Sequence, residues 1–275
     1  MSITEQRPII SKLERQELRR LLTDNRRTDS RSPLQYRNIS VQLGYVEKAE
    51  GSALIELGVT KVLAAVKVGV AVPFADTPNE GILIVNAELV PLASPVFESG
   101  PPSEESISLS RYVDRSIRES RTIDLSSLCI VPGRSVYSLY VDLYILDYDG
   151  NLIDASVIAG VNALGTTNIP KYVSEGQVVK KTEEYFKLEL KDHPVSLTYA
   201  FFDDKYVVDP CLSEKYASDF TVSMTVKSDD KFCAIQKNGG GMISPRKVIE
   251  LLDKSITLGK ELRTVAYGQL TSGNG

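Results

Sequence analysis

The polar and apolar positions along the chain fall into three regimes. Over residues 8–26, Ile9, Ile10, Leu13, Leu18, Leu21 and Leu22 recur at near-helical spacing among Arg, Glu and Lys, which predicts a short amphipathic helix. A polar, proline-containing connector follows over 26–36, and the period then changes to that of strands. Residues 39–45, 52–57, 62–72 and 82–90 are β-branched and aliphatic, separated by turn signals at Glu50-Gly51, Leu57-Gly58 and Thr77-Pro78-Asn79-Glu80-Gly81. The run 61–73 is more apolar than alternating and reads as a long strand buried on both faces. Ser103 is a good N-cap, and with Glu104 and Glu105 behind it predicts a helix to about Arg121. Strands at 128–131 and 135–146 precede a small-residue helix over 154–165, where Ala155, Ala159, Gly160 and Ala163 suit close packing on a sheet.

The second half repeats the theme. Hairpins are predicted at 195–208, turning at Asp203-Asp204, and at 220–236, turning at Ser228-Asp229-Asp230. Asn238-Gly239-Gly240-Gly241 then leads to Ser244-Pro245, an N-cap with proline at the first helical position. It lacks the Gly-Lys-Ser/Thr ending of a phosphate loop. The final helix carries Val248, Ile249, Leu252, Ile256 and Leu262 as its stripe, and the sequence from Gly268 onward reads as a flexible tail. The organisation is a helical segment at 1–26, a domain at 27–267 with halves at 27–170 and 190–267, and a tail at 268–275. Both halves end in a helix, so the class is α+β, a duplicated unit of mixed sheets packed against helices.

Composition narrows the function classes. The net charge is −4 and the pI is near 5.3, so a nucleic-acid site must be a local basic patch or be shared with a more basic partner. Cys129, Cys211 and Cys233 are odd in number and far apart, which argues against a disulfide framework or zinc site and for a reducing, cytoplasmic setting. No run approaches the ~20 apolar residues of a membrane span. A Ser-His-Asp mechanism would have to use His193, the sole histidine, which precedes Pro194 at the start of a strand, and such a triad needs much supporting geometry.

The chemistry gathers on the helix behind Ser103. Leu109, Val113 and Ile117 form an apolar stripe, and Arg111, Arg115 and Arg118 lie in a narrow arc roughly opposite. Guanidinium forks suit phosphate oxygens and can stack on bases. The bland alternative is a solvated face, its charge offset by Asp114 and Glu119.

Several motifs in fixed order then make the chain resemble the RNase PH family. They are Gly51-Ser52-Ala53-Leu54-Ile55, Thr77-Pro78-Asn79-Glu80-Gly81, Phe97-Glu98-Ser99-Gly100-Pro101-Pro102, residues 111–118, and Leu146-Asp147-Tyr148-Asp149-Gly150-Asn151. More narrowly, the chain is similar to the non-catalytic ring subunit of the archaeal exosome and its eukaryotic relatives. Arg27-Thr28-Asp29-Ser30-Arg31 resembles the family's Arg-x-Asp-Gly-Arg, with Ser30 in the glycine's place.

The resemblance implies a βαβα-type unit occurring twice, and an alternating hexameric ring shared with a catalytic RNase PH-like sister subunit and topped by RNA-binding cap proteins. It implies that Arg111 and Arg115, with Arg118 as a further candidate, contact single-stranded RNA that the sister degrades 3′ to 5′ with inorganic phosphate and Mg2+. It also implies no catalytic or metal-binding residue here. Leu152 and Ile153 replace the hydroxyl and arginine of the family's phosphate site, Ser213 replaces the first of two aspartates and leaves Asp219, and the strand over 61–72 lacks the sister's RNA-holding arginine pair. Asp209 and Glu214 are the only nearby substitutes from which a metal site could be improvised, and such a site needs several converging oxygens. The competing readings are a self-sufficient phosphorolytic 3′-to-5′ exoribonuclease, which should keep those residues, a eukaryotic ring subunit, and an unrelated α+β binding domain. Retention of both Arg111 and Arg115 favours the archaeal type.

Overall fold

The structure is a computed structural model that describes residues 11–175 and 178–272. Helix α1 (Lys12–Thr23) is capped by Ser11, whose hydroxyl accepts from the Glu14 N–H. It is held by Leu18 and Leu22, which pack on Ala200, Phe202, Val207 and Ala217, whereas Leu13 is exposed. Ile9 and Ile10 of the predicted helix lie outside the described residues.

The first half builds β1 (Ile39–Leu43), β2 (Gly51–Leu57), β3 (Thr60–Ala71), β4 (Ile82–Leu89), α2 (Glu104–Glu119), a single 3-10 turn (Leu125–Leu128), β5 (Cys129–Val131), β6 (Ser135–Asp147) and α3 (Leu152–Gly165). The sheet order is β1-β2-β3-β6-β4, with β5 on β6, and β4 runs parallel to β6. A hairpin of β7 (Asn168–Glu175) and β8 (Val178–Lys187), which sequence reasoning did not anticipate, joins the halves. Its strands mix Lys, Glu and Tyr with isolated apolar residues and carry no long apolar run to mark them. The second half has β9 (Val195–Phe202), β10 (Lys205–Val208), α4 (Leu212–Ala217), β11 (Phe220–Val226), β12 (Phe232–Gly239) and α5 (Pro245–Ser272), with an antiparallel sheet ordered β10-β9-β11-β12. Strands, helix, strands, helix thus occurs twice, as expected.

Helices α2 and α3 lie between the two sheets, and α5 covers the far face of the second. Every described α3 side chain except Ile153 is buried, as the run of small residues requires. The second sheet meets the inner helices with hydroxyls. Tyr112 Oη bonds Ser196 Oγ at 3.2 Å and Thr225 Oγ1 at 3.1 Å, and Ser116 Oγ bonds Thr225 Oγ1 at 2.9 Å. Its opposite face supplies Leu197, Tyr199, Met224 and Val226 to α5 and the core.

Three expectations are corrected. The strand over 61–73 is buried on one face only. Val62, Ala64 and Val66 point inward, while Lys61, Leu63 and Ala65 lie on a half-exposed outer face beside Tyr144. Alanine and valine at consecutive positions conceal that alternation. The stripe of α5 is centred on Leu251, Ser255, Gly259, Leu262 and Ala266, and Ile249 is exposed, because a serine and a glycine carry the contact where hydrophobic reading does not look. The helix also runs through Gly268 to Ser272, since Leu270 packs on Gly165 of the first half and Tyr267 is buried with its hydroxyl on the Pro194 carbonyl, and only 273–275 of the expected tail lie outside the described residues.

Candidate nucleic-acid interface

Helix α2 begins as predicted, with Ser103 Oγ accepting from Ser106 N at 3.2 Å and two glutamates in the first turn. Leu109, Val113 and Ile117 are buried, with Ser106 Oγ donating to the Ala87 carbonyl on β4, and so is a second lane of Tyr112 and Ser116 that faces the other sheet. A helix clamped on both sides keeps only a narrow solvent strip, and Arg111 and Arg115 occupy it. Together with Glu104, Ile107, Ser108 and Gln236 they line a groove of about 340 Å³. Among the described residues Arg111 makes no hydrogen bond or ion pair, so all its donors face solvent. Arg115 Nη2 donates to Gln236 Oε1 at 2.9 Å, a neutral acceptor that leaves its charge uncancelled. Glu104 is the one carboxylate lining the groove.

Arg118 stands apart from this pair, although the sequence places all three in one arc. It holds Asp114 in bidentate fashion, Nη2 to Oδ1 at 2.7 Å and Nε to Oδ2 at 3.1 Å, and Nη2 also donates to the Leu83 carbonyl on β4 at 2.9 Å. An acid four residues N-terminal to its base is the favoured helical order. The structure brings two of the three arginines to one groove and commits the third to a local ion pair. Gln236 and Ser108 were missed; the one readable signal was that Gln236 and Asn238 share a face of β12 by the period of two.

The turn that would hold phosphate in the family's enzymes is closed. Gly150 has φ +82°, a conformation that L side chains rarely adopt, and a Cβ there would lie 2.6 Å from Pro210 O and Cys211 C. The backbone at 210–212 therefore sits directly on the turn. Asn151 is buried, and its Nδ2 donates to Asp154 Oδ2 at 2.8 Å and Asp209 Oδ1 at 2.7 Å. Leu152, the first helical residue, is itself buried.

Asp209, Glu214 and Asp219 are each held by arginine. Fully buried Asp209 accepts from Arg31 Nη1 at 2.9 Å and from Arg37 Nη2 at 2.7 Å and Nε at 2.9 Å. Burial alone would raise its pKa, but the Arg37 hydrogen bonds and charge hold it below the usual carboxylate range. Glu214 forms a buried pair with Arg27, Nη2 to Oε2 at 2.6 Å and Nε to Oε1 at 2.8 Å, and also accepts from Cys211 N at the start of α4. Asp219 accepts from Arg19 Nη2 at 2.6 Å and lies 3.5 Å from Arg15 Nη2. Ser213 Oγ faces Cys211 Sγ at 3.3 Å. Among the described residues no group of three or more His, Cys, Asp or Glu is placed to hold a metal ion.

Ser30, in the glycine position of the connector motif, has φ 65°, which accounts for the family's glycine and gives serine there a cost of about 1–2 kcal/mol. The glycine run at 239–241 ends β12 and leads to the helix cap, where Ser244 Oγ accepts from Lys247 N at 3.3 Å. The ring of His193 tilts against Tyr267, and no described serine hydroxyl bonds to it. No described helix is long and apolar enough to cross a membrane.

Comparison with known proteins gives a consistent picture. The profile of the 3′ exoribonuclease family, domain 1, matches residues 35–170, and that of domain 2 matches residues 192–257. The exosome complex component Rrp42 of Thermococcus gammatolerans is 41% identical over 259 residues, covering 94% of this chain and 95% of the relative. The component of the same name from Archaeoglobus fulgidus is 46% identical over 242 residues, covering 88% and 91%. A solved chain of the Archaeoglobus fulgidus exosome with RNA bound to the active site superposes with a TM-score of 0.85 at 43% identity, covering 91% of this chain and 96% of that one.

Proposed function

Since the chain belongs to the 3′ exoribonuclease (RNase PH) family, we propose that it is the non-catalytic, RNA-binding ring subunit of an exosome, supporting phosphorolytic 3′-to-5′ RNA degradation by a catalytic sister subunit. The observation that carries this reading is a division of arginines. Arg15, Arg19, Arg27, Arg31 and Arg37 neutralise the acids left where family enzymes hold metal and substrate. Arg111 and Arg115 remain available on an open groove.

Phosphorolysis requires a gripped phosphate and an acid or metal at the leaving oxygen. With aliphatic Leu152 at the helix start, backbone over Gly150, and Asp209, Glu214 and Asp219 all ion-paired to arginine, this chain offers neither. Inorganic phosphate and Mg2+ act at the sister, and the chain uses no cofactor of its own. Arg111 and Arg115 grip the phosphodiester backbone without reading sequence, which suits a subunit that must hold RNA of any composition. Arg118, ion-paired to Asp114, contributes at most to the surrounding field. The partners are the sister in an alternating hexameric ring, RNA-binding cap proteins and single-stranded RNA. The setting is the cytoplasm, in keeping with free thiols at Cys129, Cys211 and Cys233.

The test is kinetic. In the chain assembled with its sister, combined Arg111→Glu and Arg115→Glu raises KM for single-stranded RNA by more than about a hundredfold, since each hydrogen bond to a charged group contributes ~1.5–3 kcal/mol and ~1.4 kcal/mol is tenfold, while kcat at saturation changes far less. An unchanged KM would remove the RNA-contact assignment.

A further inference from the structure

We propose that Gln236 is a positioning residue, an uncharged latch that fixes the Arg115 guanidinium in the orientation that receives an RNA phosphate. The inference rests on the reading of Arg111 and Arg115 as RNA contacts and adds a residue from the other half of the molecule.

A guanidinium has only donors, so it can be steered only by acceptors. An acidic acceptor would steer it and cancel its charge together, as Asp114 does for Arg118. Gln236 Oε1 bonds Arg115 Nη2 at 2.9 Å and brings no charge. The amide is itself held, with Nε2 donating to Ser108 Oγ at 3.1 Å and to Asn238 Oδ1 at 3.0 Å. Because Arg115 can only donate, the oxygen of Gln236 must face it, and the nitrogen is left for those two acceptors.

On its other side the Arg115 guanidinium carbon lies 5.9 Å from the centroid of the Tyr112 ring, and that ring is pinned by its buried hydroxyl bonds to Ser196 and Thr225. A long exposed side chain is thus restrained at two points while most of its donors stay open to the groove. Ordering such a side chain carries an entropic cost at binding, and the latch meets part of that cost beforehand. The bond also spans the two halves, α2 to β12, so the groove keeps its shape only while the halves keep their register.

The experiment uses the chain assembled with its catalytic sister, without phosphate so that RNA stays intact. Affinity for a fluorescein-labelled single-stranded oligoadenylate is read by anisotropy across a salt series. Gln236→Ala weakens binding roughly three- to tenfold, and the same change in an Arg115→Ala background adds nothing, whereas in an Arg111→Ala background its effect persists. Gln236→Glu keeps an acceptor for Arg115 but pairs with it ionically, and it lowers the salt slope by ~0.7, as losing one single-strand phosphate contact would. If Arg115→Ala alone leaves affinity unchanged, the RNA-contact reading fails and the latch with it. Should Arg115→Ala weaken binding while Gln236→Ala is silent or adds independently, or Gln236→Glu leave the slope intact, the latch alone is refuted.

Discussion

Replacing Asp209 by asparagine tests whether the acids of the closed site are structural ties or vestigial metal ligands. The side chain is fully buried and accepts five hydrogen bonds, from Arg31 Nη1, from the backbone and two side-chain nitrogens of Arg37, and from Asn151 Nδ2, at distances of 2.7–2.9 Å. Asparagine matches the shape, but it removes the charge and turns one oxygen into a donor facing other donors. Arg31 and Arg37 are themselves nearly buried, at 9% and 8% side-chain exposure, so both lose their buried anion, leaving Arg31 to Asp29 and Arg37 to Asp149 at 3.4 Å. Removing one partner of such an arrangement costs ~3–5 kcal/mol. At ~2.1 cal/mol/K of unfolding entropy per residue, that lowers the melting temperature by roughly 5–10 °C. Thermal unfolding followed by circular dichroism reads the shift, with and without millimolar Mg2+ or Mn2+. The structural account expects the full loss in Asp209→Asn and no metal-induced stabilisation of the unmodified chain. A melting temperature lowered by less than ~2 °C, corresponding to under ~1 kcal/mol, or a metal-dependent rise in the unmodified chain that Asp209→Asn abolishes, would refute it.

Two further outcomes follow from the same geometry. Arg118→Ala leaves the salt slope of RNA binding by the assembled ring unchanged, where Arg111→Ala and Arg115→Ala each reduce it by ~0.7; an equal reduction for all three would return Arg118 to the interface. Asp154, enclosed by Tyr36, Asn151 and Thr198, is pushed up to about 7 mainly by burial, against the hydrogen bonds from Asn151 and Thr198 and with the charge of Asp209 adding to the rise. The folded chain therefore holds a proton there that the unfolded chain releases near pH 4, so this contribution to stability is full below pH ~4 and is lost as pH rises through ~7. Urea unfolding midpoints of Asp154→Asn should lack that decline between pH ~4 and ~7, and parallel profiles for the two proteins would contradict the assignment.

The fold was readable where period and punctuation agreed. Ser103 with its two glutamates, the apolar lane of Leu109, Val113 and Ile117, and the small residues of α3 all lie where their chemistry placed them. Reading failed where a contact is made without hydrophobicity. Ser255 and Gly259 carry the stripe of α5, Ser116 and Tyr112 carry the second buried lane of α2, and the β7–β8 hairpin has polar, aromatic strands. Within the site, helical spacing grouped Arg111, Arg115 and Arg118, but spacing cannot show that Asp114 and the Leu83 carbonyl claim the third. The ties from Arg27 to Glu214 and from Arg31 and Arg37 to Asp209 span 172 to 187 residues of sequence, and no local pattern encodes them.

The central claim is that this chain holds RNA for chemistry performed by another subunit. Release of nucleoside diphosphates from single-stranded RNA, with phosphate and Mg2+ present, should be measured on the chain alone, on the catalytic sister alone, and on the two assembled. The account predicts no release by the chain at any concentration and processive release by the assembly, exceeding that of the sister alone. Phosphate-dependent release by the isolated chain would contradict it, because a turn closed over Gly150 and acids bound to arginine could not support that reaction.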